Sequence, residues 1–182
     1  MKTLIINGSP RKNGDTITLL SEFKKHLQGE IIQIDTFFTD IKPCNDCRYC
    51  WENQACVIKD GMQDVYRLID ETDNIIIASP IYFAELTGSL LNFMSRLQFF
   101  YTTKYKRNEV FLSNKKRNGV VFLVGGGNGT GDQALKTAKL LLRVMGADYL
   151  DCVLSHNTDN VPAKDDTDAL NKVKEIAIKL EE

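Results

Sequence analysis

The amino-acid sequence predicts an α/β protein built on a doubly wound parallel sheet. Five short apolar segments typical of strands alternate strictly with five segments of helical periodicity, a pattern typical of repeated β-α-β units. Two of the strand segments contain continuous apolar runs, at 75–77 and 120–124, as expected for central strands that are covered on both sides. The sequence therefore favours five parallel strands with helices on both faces of the sheet.

The individual elements follow in chain order. The chain begins with a short apolar strand, and an amphipathic helix follows it with apolar residues at Ile17, Leu19, Leu20, Phe23 and Leu27. The last helix begins with acidic residues and ends near Lys179, the arrangement that the helix dipole favours. The predicted strands are 3–6, 31–34, 74–79, 119–124 and 148–154, and the predicted helices are 16–27, 62–71, 87–99, 132–145 and 166–180.

Length and composition limit the classes of function. A chain of 182 residues is predicted to form one domain, spanning 1–182, with a substantial core. Its net charge of −1 gives no electrostatic case for binding nucleic acid or an anionic membrane, so we expect neither partner. The sequence has no run approaching the roughly 18 apolar residues of a membrane helix, and its first segment is typical of a strand rather than a signal peptide. We expect a cytoplasmic protein with reduced cysteines.

The loop after the first strand has the composition of an anion site. Residues 8–16 read Gly-Ser-Pro-Arg-Lys-Asn-Gly-Asp-Thr and lead directly into the first predicted helix. Backbone N–H groups at such a helix N-terminus bind anions, and Arg11 adds a planar cationic donor suited to phosphate. The loop lacks both the Lys-Ser/Thr ending of a nucleotide P-loop and the Gly-x-Gly-x-x-Gly pattern of dinucleotide sites. It favours a monophosphate ester, and the alternative is an ordinary turn between strand and helix.

Three loops are expected to meet at one edge of the sheet. In doubly wound sheets ligands bind beyond the carboxyl ends of the strands, where the sequence places loops 8–16, 79–86 and 125–131. The second loop carries a proline and two aromatic residues, which can stack on a planar ring. The third is rich in glycine, so that its backbone can approach a ligand closely. The alternatives are core packing for Tyr82 and Phe83 and a mobile loop without a ligand for the glycines.

These motifs together resemble the NAD(P)H-dependent FMN reductase family, and the chain most resembles its iron–sulfur flavoprotein branch. The resemblance covers essentially the whole chain and implies a flavodoxin-like sheet of strand order 2-1-3-4-5 that binds FMN. It also implies a homodimer or homotetramer, with the flavin near a subunit interface. The residues implied to hold the FMN phosphate are Ser9, Arg11, Asn13, Gly14, Asp15 and Thr16; those implied to line the flavin ring are Pro80, Ile81, Tyr82 and Phe83 on one side and Gly125, Gly126 and Gly127 on the other.

A compact run of cysteines follows the second predicted strand, in a loop at about 43–60. Its spacing is Cys44-x2-Cys47-x2-Cys50-x5-Cys56, and four thiolates this close in sequence can converge on one centre. The run resembles the motif by which iron–sulfur flavoproteins hold a [4Fe–4S] cluster. A structural zinc ion and a loop without metal are the alternatives. The fifth cysteine lies on the last predicted strand and is interpreted as a buried hydrophobic residue.

The resemblance implies an oxidoreductase that passes electrons from NAD(P)H through FMN to an acceptor. Its chemistry would be carried by the cofactor, so no side chain is assigned as catalytic. One alternative is an electron carrier that exchanges electrons with reduced ferredoxin through a cluster; another is a non-catalytic flavin sensor whose cysteines respond to oxidation. The segment 104–107 either contacts the 2′-phosphate of NADPH or is a solvated loop, and the solvated loop is our interpretation.

Overall fold

The computed structural model describes residues 1–181, whose five strands form one parallel sheet. The spatial order of the strands is β2-β1-β3-β4-β5, and every neighbouring pair is parallel. This confirms the predicted flavodoxin-like order, and each strand extends its predicted segment by one or two residues at one or both ends. The strands are β1 (Lys2–Asn7), β2 (Glu30–Asp35), β3 (Asn74–Pro80), β4 (Arg117–Val124) and β5 (Ala147–Ser155).

Helices cover both faces of this sheet. On one face, helices at the two ends of the chain pack together, and Phe23 meets Phe122 edge-on with ring centroids 5.1 Å apart. The remaining helices cover the other face, where Leu4, Ile75 and Val121 of the central strands are fully buried. The helices are α1 (Asp15–Lys25), α2 (Met62–Glu71), α3 (Gly88–Met94), α4 (Gln98–Tyr105), α5 (Asp132–Val144) and α6 (Thr167–Glu181).

The predicted continuous helix over 87–99 is wrong. Helix α3 ends at Met94, a 3₁₀ turn spans Ser95–Leu97, and α4 begins at Gln98. The physical reason is tertiary, since Ser95 and Arg96 in this turn bind the segment that carries the cysteines. A short 3₁₀ stretch within a longer helical segment often marks such a functional position.

The order of the strands determines where a ligand can enter. The chain winds from β1 outward to β2, then crosses back to β3 on the other side of β1. At this switch point the loops that follow β1 and β3 diverge to opposite faces of the sheet and leave a crevice at its carboxyl edge. As for membranes, none of the helices within residues 1–181 combines the length and apolarity that a bilayer crossing requires.

Candidate functional site

A side chain at the end of β1 shapes the first loop. Asn7 donates a hydrogen bond through Nδ2 to Asp35 Oδ1 (2.8 Å) and accepts one at Oδ1 from the Ser9 N–H (3.0 Å). The Ser9 hydroxyl accepts from the Arg11 N–H (3.2 Å) and donates to the Arg11 carbonyl (3.1 Å). Ser9 is therefore buried and folds the loop back on itself, while the Arg11 side chain is left exposed at its rim.

The loop ends at an open helix N-terminus. Gly14 is the N-cap residue of α1, and within residues 1–181 no side chain caps its N–H groups. Asp15 instead accepts the N–H of Ala163 through Oδ1 (2.8 Å), which ties the loop after β5 to this position. Thr16 is buried in the first turn, and Asn13 is exposed beside Arg11. Uncapped N–H groups next to an exposed arginine fit an anion such as a phosphate monoester.

Thr87 joins the first loop to the second. Its hydroxyl donates to the Gly8 carbonyl (2.8 Å), and its N–H donates to the Ser79 hydroxyl (3.1 Å). The side chains of the second segment approach the backbone of Gly8 so closely that a Cβ there would lie 2.5 Å from Thr87 Oγ1 and 2.9 Å from Leu90 Cβ. The two loops at the switch point are therefore held as one unit, and glycine is required at position 8.

The second loop projects an aromatic residue from a strained turn. Tyr82 and Glu85 exchange two backbone hydrogen bonds (2.9 and 3.0 Å), and between them Phe83 and Ala84 have positive φ angles of 52° and 64°. Phe83 is fully exposed and Tyr82 half exposed, so the alternative of core packing is wrong for both. Two successive non-glycine residues in the left-handed region cost free energy, and such strain is typical of ligand sites.

The third loop is paired along its backbone with the loop that follows β5. Gly125 accepts the Thr158 N–H (3.1 Å), Gly126 accepts the Asp159 N–H (3.2 Å) and Gly127 accepts the Asn157 N–H (2.8 Å). This pairing holds the first part of the glycine segment in one conformation. Around Gly127, by contrast, a Cβ would have at least 4 Å of open space among the described residues.

The four clustered cysteines line one small cavity of about 30 Å³, together with Arg96. Their thiols are free, and their sulfur atoms are not arranged as a formed metal site anywhere in residues 1–181. Soft sulfur donors around a single cavity nevertheless fit a thiolate-bound metal centre by their chemistry. The cysteines of the cavity are Cys44, Cys47, Cys50 and Cys56.

Two buried arginines hold this cysteine segment in place. Arg96 donates to Cys56 Sγ at 3.4 Å and pairs with Asp60 at 2.7 Å. Arg107, whose side chain is only 7% exposed, donates to the carbonyls of Cys50 and Asn53. The interpretation of 104–107 as a solvated loop is therefore wrong for Arg107, because its guanidinium group pairs inside the protein with the cysteine loop.

Burial and charge act together around Arg96. Burial alone would raise the pKa of Asp60, but hydrogen bonds from Arg96 and from two backbone N–H groups hold it below its ordinary value. Burial raises the pKa of Tyr66, whose hydroxyl donates to the Arg96 carbonyl (2.9 Å). Asp60 is therefore charged and Tyr66 is neutral near pH 7, which leaves Arg96 with a single carboxylate partner.

Sequence patterns alone did not identify several of these residues. Thr87 could have been identified from the sequence, since a threonine at the start of a predicted helix is a common N-cap residue. Asn7, at the carboxyl end of a buried strand, had the same kind of positional signal. Arg96 and Arg107 had none, because an arginine within a helical pattern is normally solvated.

A groove of about 510 Å³ lies away from these loops, near the amino ends of β4 and β5. Lys104 and Tyr105 line it together with Arg117 and Gly146, which stand at the starts of those strands. Lys106 instead stacks on Trp51 beside the cysteine segment. The structure therefore does not bring segment 104–107 to the edge where the three loops meet.

A doubly wound sheet with three linked loops at its switch point defines a flavodoxin-like class of ligand-binding α/β proteins. The chain belongs to the NADPH-dependent FMN reductase family, whose family model matches residues 1–159. This confirms the family that the motifs resemble.

Individual relatives agree with this family. The chain is 28% identical to an iron-sulfur flavoprotein of Methanosarcina thermophila, over 99% of this chain and 93% of that protein. It is 33% identical to an iron-sulfur flavoprotein of Archaeoglobus fulgidus, over 53% of this chain and only 46% of that protein, so that match spans about half the relative's length. Among solved structures, an FMN-dependent NADH-azoreductase of Bacillus anthracis in complex with FMN shares the fold, with a TM-score of 0.65, 19% identity and full coverage of both chains.

Proposed function

We propose that this chain is an FMN-dependent oxidoreductase that passes electrons from NAD(P)H to an acceptor. The observation that carries the proposal is the linked set of loops at the switch point, where the uncapped N-terminus of α1 and the glycine segment are both hydrogen-bonded to the loop that follows β5. The azoreductase of the same fold that contains FMN adds support. FMN, when bound, supplies the redox chemistry, while the protein supplies binding, orientation and electrostatics.

The phosphate of FMN would lie against the first loop and α1. The N–H groups at the start of the helix and the guanidinium group of Arg11 would donate to it. Asn13 in the loop and Thr16 in the first turn of α1 are close to these groups in the chain. Ser9 and Asp15 would act mainly by shaping this cradle, since both already bind backbone groups of the protein. Gly14 leaves the helix end open.

The planar ring would lie between the second and third loops. Tyr82 and Phe83 present exposed aromatic surface, and Pro80 and Ile81 continue that side toward the sheet. The backbone of 125–127 would face the ring from the other side, with Gly127 leaving room for close approach. The same open edge would admit the nicotinamide of NAD(P)H, and we expect a homodimer or homotetramer to complete the surroundings.

We further propose that Cys44, Cys47, Cys50 and Cys56 hold a [4Fe–4S] cluster. The four residues line one cavity next to a buried cation, and the relatives named above are iron-sulfur flavoproteins. Four soft thiolates around one cavity match the ligand set of such clusters. A zinc ion at the same thiolates is the competing occupant.

The test is the absorption spectrum of protein purified without air, paired with iron and zinc analysis. Flavin bands that bleach on addition of NADPH or NADH support the oxidoreductase, and about four irons per chain support the cluster. Changing Cys47 to Ala should remove the iron and leave the flavin bands, which separates the two sites. Flavin that does not bleach with either nucleotide contradicts the proposed donor, and zinc in place of iron contradicts the cluster.

A second candidate function is a ferredoxin-linked electron carrier. Arg48 and Lys106 both stack on Trp51 beside the cysteine segment, at 4.8 and 4.6 Å from the ring centroid. Exposed cations at a redox centre favour an acidic electron-transfer partner. Reduction by reduced ferredoxin that weakens steeply with salt, with no reaction to NAD(P)H, would favour this candidate over the first.

A further inference from the structure

Arg96 is a buried cation that reaches the cysteine segment from a distant part of the chain. Its side chain is 1% exposed and lies in the 3₁₀ turn between α3 and α4. The four cysteines and Arg96 line the same cavity. Burying an arginine is costly unless its donors and its charge find partners, so its position calls for a physical reason.

The guanidinium group of Arg96 donates hydrogen bonds to the chain on both sides of the cysteine segment. Nη1 donates to the Lys42 carbonyl (2.9 Å), two residues before the first cysteine, and Nη2 donates to the Ile58 carbonyl (3.3 Å), two residues after the last. Asp60, the ion-pair partner of Arg96, also accepts the Lys42 N–H (3.1 Å). The ion pair of Arg96 and Asp60 therefore holds the two ends of loop 42–60 together.

The guanidinium group of Arg96 also contacts one of the four thiols, and one of its N–H donors has no partner among residues 1–181. Nη2 is 3.4 Å from Cys56 Sγ. The Nε atom of Arg96 is fully buried and has no hydrogen-bond partner among residues 1–181. A fully buried donor without a partner is rare in proteins and calls for an explanation, such as a bound ion or group.

A thiolate-bound metal centre accounts for these observations. Four thiolates around iron or zinc carry net negative charge, and N–H donors to the sulfur atoms stabilise that charge. Asp60 accepts from Nη1 of Arg96, whereas Cys56 accepts from Nη2. The carboxylate and the thiol therefore bind different nitrogen atoms of the same guanidinium group.

We propose that Arg96 positions the thiolate centre and compensates its charge, through hydrogen bonds to both ends of loop 42–60 and a hydrogen bond to Cys56. This rests on the proposed metal centre at the four cysteines. Positive charge and N–H donors near cluster sulfurs favour the reduced, more negative state and raise the reduction potential. Removal of Arg96 should therefore lower the potential, whereas removal of the negative charge of Asp60 should raise it.

The experiment is an anaerobic potentiometric titration of the reconstituted protein, with iron retention measured against a chelator. Arg96→Gln should show a lower midpoint potential and roughly 10- to 100-fold weaker iron retention, and Arg96→Lys should recover part of the potential by keeping the charge. Asp60→Asn should shift the potential in the opposite direction. The matched control is Arg117→Gln, because Arg117 is equally buried and paired with Asp70 away from the cysteines.

The outcomes separate this proposal from the one it rests on. Wild-type protein that retains no iron contradicts the cluster and, with it, this role of Arg96. Wild-type protein that loads iron, while Arg96→Gln matches it in potential and retention, contradicts the role of Arg96 alone. If Arg96→Gln does not fold, Arg96→Lys decides, because a lysine keeps the charge but cannot keep all the hydrogen bonds of Nη1 and Nη2. A potential and an iron retention equal to those of the wild type would then contradict the role of Arg96.

Discussion

Replacing Gly8 by alanine tests whether the first two loops form one rigid unit. The added Cβ would lie 2.5 Å from Thr87 Oγ1 and 2.9 Å from Leu90 Cβ. Both neighbours are buried, at 3% and 0% exposure, and Leu90 Cβ is fixed to the backbone of α3. The new methyl group can be accommodated only if the loop after β1 and the start of α3 move apart.

The cost follows from two effects of that movement. Overpacking of a filled site costs about 1–3 kcal/mol, and the buried hydrogen bond from Thr87 to the Gly8 carbonyl is lost or stretched. We expect the free energy of unfolding to fall by about 2–4 kcal/mol in total. For a chain of this size, that corresponds to a fall in Tm of about 4–16 °C.

The assay is thermal unfolding followed by circular dichroism, together with FMN titration of the folded protein. Gly88→Ala is the matched control, because Gly88 is the first residue of α3 and a Cβ there has 4 Å of open space among the described residues. Alanine should leave that helix as stable as before or stabilise it by up to about 1 kcal/mol. Gly8→Ala should also weaken FMN binding, whereas Gly88→Ala should leave the Tm unchanged or raise it by up to about 4 °C.

Two results would refute this reasoning. A Gly8→Ala protein that melts with the wild type would mean that the loops do not approach as closely as the structure describes. A Gly88→Ala protein that loses as much stability as Gly8→Ala would mean that the loss does not come from the contact with Thr87.

Other substitutions test separate parts of the site. Arg11→Ala should weaken FMN binding by about 1.5–3 kcal/mol, the loss of a charged hydrogen bond, without changing the Tm of the apoprotein; equal affinity in a fluorescence titration would remove Arg11 from the site. Gly127→Ala should weaken FMN binding at unchanged Tm, because its Cβ would extend into the space proposed for the ring, and unaltered binding would place the ring elsewhere. Asp15→Ala should cost about 1–3 kcal/mol in urea unfolding, because it leaves the buried N–H of Ala163 without its acceptor; a smaller loss would mean that water replaces the carboxylate. The folded-state pKa of Asp60 lies below its ordinary value of 3.8. The stabilisation of the folded protein by the Asp60 carboxylate is therefore present above pH 3.8 and is lost as the pH falls through the lower folded-state pKa. The difference in free energy of unfolding between wild type and Asp60→Asn should shrink between about pH 6 and pH 3, and a constant difference would contradict the charged pair.

The sheet could be predicted from the sequence because its determinants are local. Central strands buried on both faces need continuous apolar runs, and 75–77 and 120–124 supply them. The loops at the carboxyl edge could also be located, since the topology of a parallel sheet brings strand ends together whatever their side chains do. For the sheet, the apolar pattern of the sequence and the burial of the strands in the structure therefore identify the same segments.

The details of the site could not be predicted, because they depend on contacts between distant residues. The helix break at Ser95 and Arg96 depends on partners at 42–60, which are 38–54 residues away in the chain. Phe83 adopts a backbone conformation that its residue type disfavours, and no local pattern indicates it. Arg107 lies in a polar segment where a solvated side chain is expected. Its role in holding the cysteine segment depends on hydrogen bonds to carbonyl groups that are distant in the chain.

The measurement that tests the central claim most directly compares the affinities of the apoprotein for FMN and for riboflavin, which lacks the phosphate. If the first loop and α1 hold the phosphate of FMN, riboflavin should bind about 10- to 150-fold more weakly, as expected for the loss of charged hydrogen bonds. The difference should disappear in the Arg11→Ala protein to the extent that Arg11 supplies those bonds. Equal affinity of the wild-type protein for the two flavins, or no binding of FMN, would contradict the account.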